Sequence, residues 1–301
     1  MMGGAVNGRR AAARLLGGGR ATEARERVSL TRAVVGYTLL IVLSAVFLTP
    51  FAWTVSTSLK SDAQVYSLDV TWIPSPVMWS NYAEAITAIP FFTYLRNSVT
   101  VTALCIVGTV FSSTLVAYAF GCLEWPGRDA LFVLLLAGMM LPPQVTMIPV
   151  FILFCRLGWV DTFAPLVVPA FLGGGAFFVF LLRQFFKTLP KDLFDAARID
   201  GCSAFGMYWR IALPLSRPAV MTVVIFTLNM TWNDFLGPLV YLNSDSKKTL
   251  ALGLQAFSSE TGAEQAELMA ISVLMVLPLL IVFFLGQRYF VEGITLTGMK
   301  G

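Results

Sequence analysis

Apolar residues collect in six long stretches: Ala33–Leu59, Asn97–Leu123, Ala130–Cys155, Thr162–Leu182, Pro218–Asn243 and Leu268–Gln287. The six contain a single charged residue, Asp234 in the fifth. A helix crossing the hydrocarbon core of a bilayer needs roughly 20 mostly apolar residues, so each stretch predicts one span. The expected fold class is therefore an all-α membrane protein with six transmembrane helices. Two of these spans carry their own breaks. The third contains Pro142-Pro143 ahead of Gln144, and two missing backbone donors predict a kink or break there. The fourth has Gly173-Gly174-Gly175 after Pro165 and Pro169. Broken backbone at membrane depth is tolerated only where protein or a water-filled cavity satisfies it. The glycine run fits either a passage lined by a moving bundle or close helix packing through small residues.

Composition agrees with lipid as the solvent: 57% of the 301 residues are apolar and 13% are charged, where soluble domains carry about 25%. The net charge of +4 is less informative than its placement. With both termini in the cytosol, sixteen of the 21 Lys and Arg fall inside and five (Lys60, Arg96, Arg156, Lys247, Lys248) outside, so the positive-inside rule favours an N-in, C-in arrangement. Residues 1–30, rich in Gly, Ala and Arg, read as a disordered basic cytoplasmic tail, with residues 31–301 as the transmembrane domain. Such a tail also fits a nucleic-acid arm, but beside a first span it already has a topological role, and no nucleic acid is expected as a partner. The first apolar stretch is too long for a cleavable signal centre and reads as a retained anchor. The outside segment Ser61–Leu95 mixes turn formers with Trp72, Trp79 and Tyr82, which suits an interfacial connector or a sugar-binding surface.

The inventory of reactive groups argues against enzymatic chemistry. There is no histidine, which removes the commonest metal ligand and general base. The four cysteines (Cys105, Cys122, Cys155, Cys202) make no metal or disulfide spacing. No G-x-x-x-x-G-K-[ST] loop, HExxH or GxSxG occurs, so neither a cofactor nor a metal is implied. Polar groups that can line a path are Asn97, Gln144, Asn233 and Asp234. For Asp234 two readings stay open, a place on the path or a structural hydrogen bond or ion pair, because an acid at that depth faces the bundle interior or a cavity. An ion-coupled secondary transporter would place several ionisable residues and inverted repeats near the midplane; only Asp234 is there and no repeat is evident.

The longest inside loop, 187–217, has helix grammar of its own. Pro190 and Asp192 suit a helix start, Gly201 suits its end, and Ser203 can cap a second helix running toward Ile211, which Pro214 is expected to stop. A helix–turn–helix should result, with Phe194, Ala197 and Ile199 as apolar surface that little nearby can cover, and such a surface implies a partner.

The residues Asp195-Ala196-Ala197, Gly201 and then Ile211-Ala212-Leu213-Pro214 resemble the EAA loop of ABC importer permeases, with Asp in place of the usual Glu. Arg96-Asn97-Ser98, Ala117-Tyr118-Ala119-Phe120, Met147-Ile148-Pro149, Leu181 to Phe186, Trp232-Asn233-Asp234-Phe235 and Gly298-Met299-Lys300-Gly301 extend the likeness from about residue 30 to the end. The pattern is similar to the second permease subunit of the maltose-type carbohydrate importers. This resemblance implies a multi-pass protein of the cytoplasmic membrane that is not itself an enzyme. It implies partnership with an ABC ATPase dimer, a second, different permease and an extracytoplasmic substrate-binding protein. The cargo would be a sugar, or glycerol-3-phosphate or a polyol in relatives that share the pattern. It also implies that Phe194, Asp195, Ala196, Ala197, Asp200, Gly201, Ile211, Leu213 and Pro214 couple to the ATPase, and that Gly298, Met299 and Lys300 reach toward it.

Overall fold

The computed structural model describes residues 30–260 and 265–298, and every regular element among them is helical. The expected tail, residues 1–29 of the 1–30 segment, lies outside them, as do Met299 and Lys300. The backbone divides into two units, residues 1–56 and 57–301. In the first, helix α1 (Leu30–Thr57) keeps its hydroxyls inside its own ladder: Thr49 Oγ1 donates to Ala45 O at 2.8 Å and Thr54 Oγ1 to Pro50 O at 3.0 Å. A span surrounded by lipid has to satisfy its polar groups internally.

In the second unit, short helices α2 (Asp62–Val65) and α3 (Ser80–Ala88) fold the outside segment back on the turn at 58–60. Buried Asn81 donates to Ser58 O at 3.0 Å and Lys60 O at 2.8 Å, and Tyr82 Oη lies 2.8 Å from Ser58 Oγ. Helix α4 (Phe91–Cys122) begins six residues before the expected start at Asn97, because Pro90 fixes the turn that opens it. Its buried face is small and polar (Ser98, Thr102, Gly108, Ser112, Ala117), which lets neighbouring backbones approach closely.

The expected breaks in spans three and four are present. Helices α5 (Arg128–Gly138) and α6 (Pro143–Arg156) meet at 96° across Pro142-Pro143. Helices α7 (Ala164–Phe171) and α8 (Ala176–Phe186) flank three glycines that all have positive φ. The middle one has a packing reason: a Cβ on Gly174 would lie 2.7 Å from Thr109 O and 2.9 Å from Ser113 Cβ of α4. Beside it, Ser112 Oγ sits 2.7 Å from Ala170 O. Close packing on α4 thus accounts for Gly174.

Loop 187–217 holds α9 (Lys191–Ile199) and α10 (Ala204–Leu215). Helix α10 ends at Leu215, one residue beyond the expected stop at Pro214. A π turn over Tyr208–Ala212, with Leu213 N bonded to Tyr208 O, displaces the ladder where the proline would leave a carbonyl unmatched. The helix yields at Ser216, where α11 (Arg217–Trp232) departs at 78°. The expected fifth span is also divided, since α11 ends at Trp232 and α12 (Leu236–Tyr241) starts anew. Helices α13 (Leu250–Glu260) and α14 (Gln265–Gly298) complete the described chain. Among the described residues, four helices are long and apolar enough to cross a membrane, or up to six if each bent pair is one span.

Candidate functional site

The chain's own grammar closes α9 and opens α10. Cys202 N donates to Ala197 O at 2.9 Å and Gly201 N to Arg198 O at 3.0 Å, the two reciprocal bonds of a Schellman ending. Gly201 supplies the left-handed residue at φ +76°. Ser203 Oγ then accepts Gly206 N at 3.1 Å, the expected cap of the second helix. Arg198 and Asp195 form a 3.3 Å ion pair with both side chains more than half exposed, so it adds little stability.

The two helices present one apolar face inward and another outward. Phe194 is buried in a core with Tyr118 and Phe186 of α4 and α8 and with Met207, Tyr208 and Ala212 of α10. The reading of Phe194 and Ala197 as uncovered surface is corrected: Phe194 has 8% exposure and Ala197 is packed against the same core. The physical reason is that α9 lies against the ends of α4 and α8, so its apolar side anchors it. Ile199, at 87% exposure, stays bare, as do Asp195, Ala196, Asp200, Gly201 and Pro214; Ile211 and Leu213 are half-buried. Two outward aromatics escaped the sequence reading, Phe205 and Trp209, 66% and 60% exposed. Their i, i+4 spacing after a serine cap is the signal that would have found them, since such residues share one helix face.

The four residues offered for a path separate. Asn97 is buried and spends its amide on Ser246 O and Lys248 O, both at 2.9 Å; it holds a loop. Asp234 stands between α11 and α12, where Oδ1 accepts Gly237 N at 3.1 Å. Gln144 and Asn233 are exposed, and Asn233 Nδ2 donates to Asn229 O at 2.9 Å. Among the described residues no hydrogen bond joins any two of the four.

The loop held by Asn97 is gripped from a second side. Asp161, itself at φ +60°, accepts Asn243 N at 3.0 Å and Ser244 N at 2.9 Å on Oδ1. Its Oδ2 takes Ser244 Oγ at 2.5 Å and pairs with Lys247 Nζ at 3.1 Å. The Ser244 hydroxyl and amide, followed by Lys247 and the Asn243 amide, hold this carboxyl well below the usual carboxylate range. Its partners lie more than 80 positions along the chain, so nothing local in the sequence marks it.

Comparison with known proteins gives a consistent answer. The family model of binding-protein-dependent transport system inner membrane components matches residues 113–296. The chain is 37% identical over 229 residues to the arabinooligosaccharides transport system permease protein AraQ of Halalkalibacterium halodurans, covering 76% of this chain and 81% of that one. It is 34% identical over 241 residues to the sn-glycerol-3-phosphate transport system permease protein UgpE of Yersinia pestis, covering 77% and 85%. Among solved structures, a bacterial ABC transporter involved in import of the acidic polysaccharide alginate superposes with a TM-score of 0.74 at 24% identity, covering 88% of this chain and 98% of that one. At that identity the likeness speaks for the fold.

Proposed function

As the chain belongs to the family of binding-protein-dependent transport system inner membrane components, we propose that it carries a neutral carbohydrate across the inner membrane. It is a multi-pass permease subunit of an ABC importer, of the AraQ and UgpE type, and the ATPase is a separate chain. The cargo is a mono-, di- or oligosaccharide. The observation that carries this choice is the kind of polar group exposed along the spans. Phe226, Asn229, Met230 and Asn233 lie on one exposed face of α11, and Gln144 is exposed at the break in span three. Amides beside an aromatic ring suit hydroxyl-rich rings. The Lys and Arg of the spans sit near helix ends, Arg96, Arg156 and Arg183 among them, whereas a phosphate or carboxylate cargo calls for Arg or Lys on the path.

Force enters at loop 187–217. Asp195, Ala196, Asp200 and Gly201 form the docking face for an ATP-binding subunit, flanked by Ile199, Phe205 and Trp209. Ala196 lets the partner approach closely, while Phe194, Ala197, Ile211 and Leu213 return the load to the bundle. A second, different permease completes the passage, an ATPase dimer drives it, and an extracytoplasmic binding protein delivers the cargo. The likeness to UgpE favours a second reading, import of glycerol-3-phosphate.

Proteoliposomes containing the assembled importer, with ATP and without an ion gradient, test the proposal. Labelled arabino- or malto-oligosaccharide should be taken up only when the binding protein is supplied. Uptake that follows an ion gradient would overturn the importer mechanism, and uptake confined to glycerol-3-phosphate would overturn the cargo.

A further inference from the structure

Helix α4 differs from every other candidate span. The others contain proline: Pro50, Pro142-Pro143 with Pro149, Pro165 with Pro169, Pro214 with Pro218, and Pro278. Helix α4 runs for 32 residues with neither proline nor break. Without proline every turn of α4 keeps its backbone donor, and the hydroxyls of Thr100, Ser112, Ser113 and Thr114 share i−4 carbonyls without interrupting the helix.

Its two ends make the contacts that matter on opposite sides of the membrane. Near its start, Asn97 donates to Ser246 O and Lys248 O, and Ser98 Oγ accepts Leu250 N at 2.8 Å. These bonds fix the outside loop 243–249. Near its end, Tyr118 donates to Ala204 O at 3.0 Å and Thr114 Oγ1 meets Tyr208 Oη at 2.8 Å. These bonds fix the second helix of loop 187–217. Twenty residues separate Ser98 from Tyr118, which at the α-helical rise is about 30 Å.

We infer that α4 is a rigid rod linking the two loops, with Ser98 and Tyr118 as its positioning residues. Displacement of loop 187–217 then moves the outside loop, and engagement of the outside loop biases loop 187–217 in return. Such coupling is reciprocal by thermodynamic necessity. The inference rests on the reading that loop 187–217 receives the ATPase. It adds the route by which that event reaches the far side: one continuous, proline-free helix, packed against broken ones that absorb the bending.

Hydrogen–deuterium exchange on the full importer in nanodiscs tests the route. Each variant removes one hydroxyl. Ser98→Ala should speed exchange not only in 243–250 but also in 204–212, and Tyr118→Phe should do the reverse, each by roughly two- to thirtyfold at the distant end. Ser272→Ala, whose hydroxyl bonds within its own helix to Leu268 O, should change neither. Adding ATP to the wild-type complex should alter exchange in 243–250, and Tyr118→Phe should weaken that response. Changes confined to the mutated end, or an undiminished ATP response in Tyr118→Phe, would overturn the inference. A wild-type complex that ignores ATP would instead sink the importer reading, and the reciprocal exchange between the two ends would still decide the rod.

Discussion

The guanidinium of Arg183, 7% exposed, reaches out of the bundle to the carboxylate of Asp129, 70% exposed, at 3.2 Å. The same guanidinium donates Nε to Phe120 O at 3.0 Å and lies 3.8 Å over the Phe132 ring. One side chain thereby ties the ends of α4, α5 and α8 together just before loop 187–217. The carbonyl and the ring are the buried partners and the ion pair is the wet one. Arg183→Ala should therefore destabilise the subunit by about 2–4 kcal/mol, from a charged hydrogen bond and a cation–π contact. Asp129→Asn should cost much less, because its carboxylate is solvent-exposed. Thermal unfolding of the purified complex in detergent checks both, and equal losses would contradict the assignment.

Opposite faces of α9 and α10 predict opposite phenotypes. Phe194→Ala empties a buried site in the core around Tyr118 and Tyr208 and should cost about 3–5 kcal/mol of stability. Ile199→Glu and Trp209→Ala alter exposed side chains and should leave the unfolding temperature nearly unchanged while ATP-driven uptake falls at least tenfold. Uptake and melting measured on the same preparations separate the two. Normal uptake in both surface variants would remove this face from the docking site.

The glycine break in span four allows a paired test. Gly173 and Gly174 both need positive φ, but a Cβ on Gly173 meets nothing within 4 Å, whereas one on Gly174 meets Thr109 O and Ser113. Gly173→Ala should cost only backbone strain, about 1–3 kcal/mol at φ +119°. Gly174→Ala combines left-handed strain of about 1–2 kcal/mol with overpacking of about 1–3 kcal/mol. Relief of the Gly174→Ala loss by Ser113→Gly, with no relief of Gly173→Ala, read from unfolding of the purified complex, would show that α4 packs tightly on the break.

What the sequence made legible divides along physical lines. The apolar stretches, the proline break at Pro142-Pro143, the Ser203 cap and the Gly201 ending follow from local chemistry. The break, cap and ending are found as expected. Among the described residues four helices can span a membrane, or up to six if each bent pair is one span, and the expected fifth span is divided. The burial of Phe194 was not readable, because an apolar residue on a short helix looks alike whether it meets its own bundle or a partner. Asn97 looked like a path residue because a polar group at a span invites that reading; its true partners lie some 150 positions away. Asp161 left no trace for the same reason. Pro214 marked the end of α10 to within one residue, whereas the π turn over Tyr208–Ala212 just before it was not read from the sequence.

Asp161 predicts a pH response on the outer face. Its folded carboxyl titrates below the ordinary Asp value of about 3.9, so ionisation stabilises the loop and that stability is present above this value. It is lost as pH falls through the depressed value. Protection of the amides in residues 243–248, each rate taken relative to the intrinsic rate at that pH, should stay flat from neutral pH down to about 4 and then fall. Asp161→Asn should show the reduced protection already at neutral pH and little further change on acidification. An acid response unaltered by the substitution would mean that another group governs the loop.

Gly201 joins stability to function at one position. Its φ of +76° disfavours any side chain, yet a Cβ there meets nothing within 4 Å in this chain. The cost of substitution is therefore conformational, about 1–2 kcal/mol, and Asn and Asp bear it best because they visit the left-handed region more readily than other residues. Gly201→Asn and Gly201→Asp should insert and melt almost like the wild type. If the glycine faces an ATP-binding partner, both should lower ATP-driven uptake, with the charged variant worse. Gly201→Ala, strained but small, should show the reverse balance, a lower melting temperature with uptake better retained. Membrane abundance, melting and uptake across the three variants distinguish a turn that merely needs glycine from a surface that needs an empty space, and normal uptake in Gly201→Asp would rule out the second.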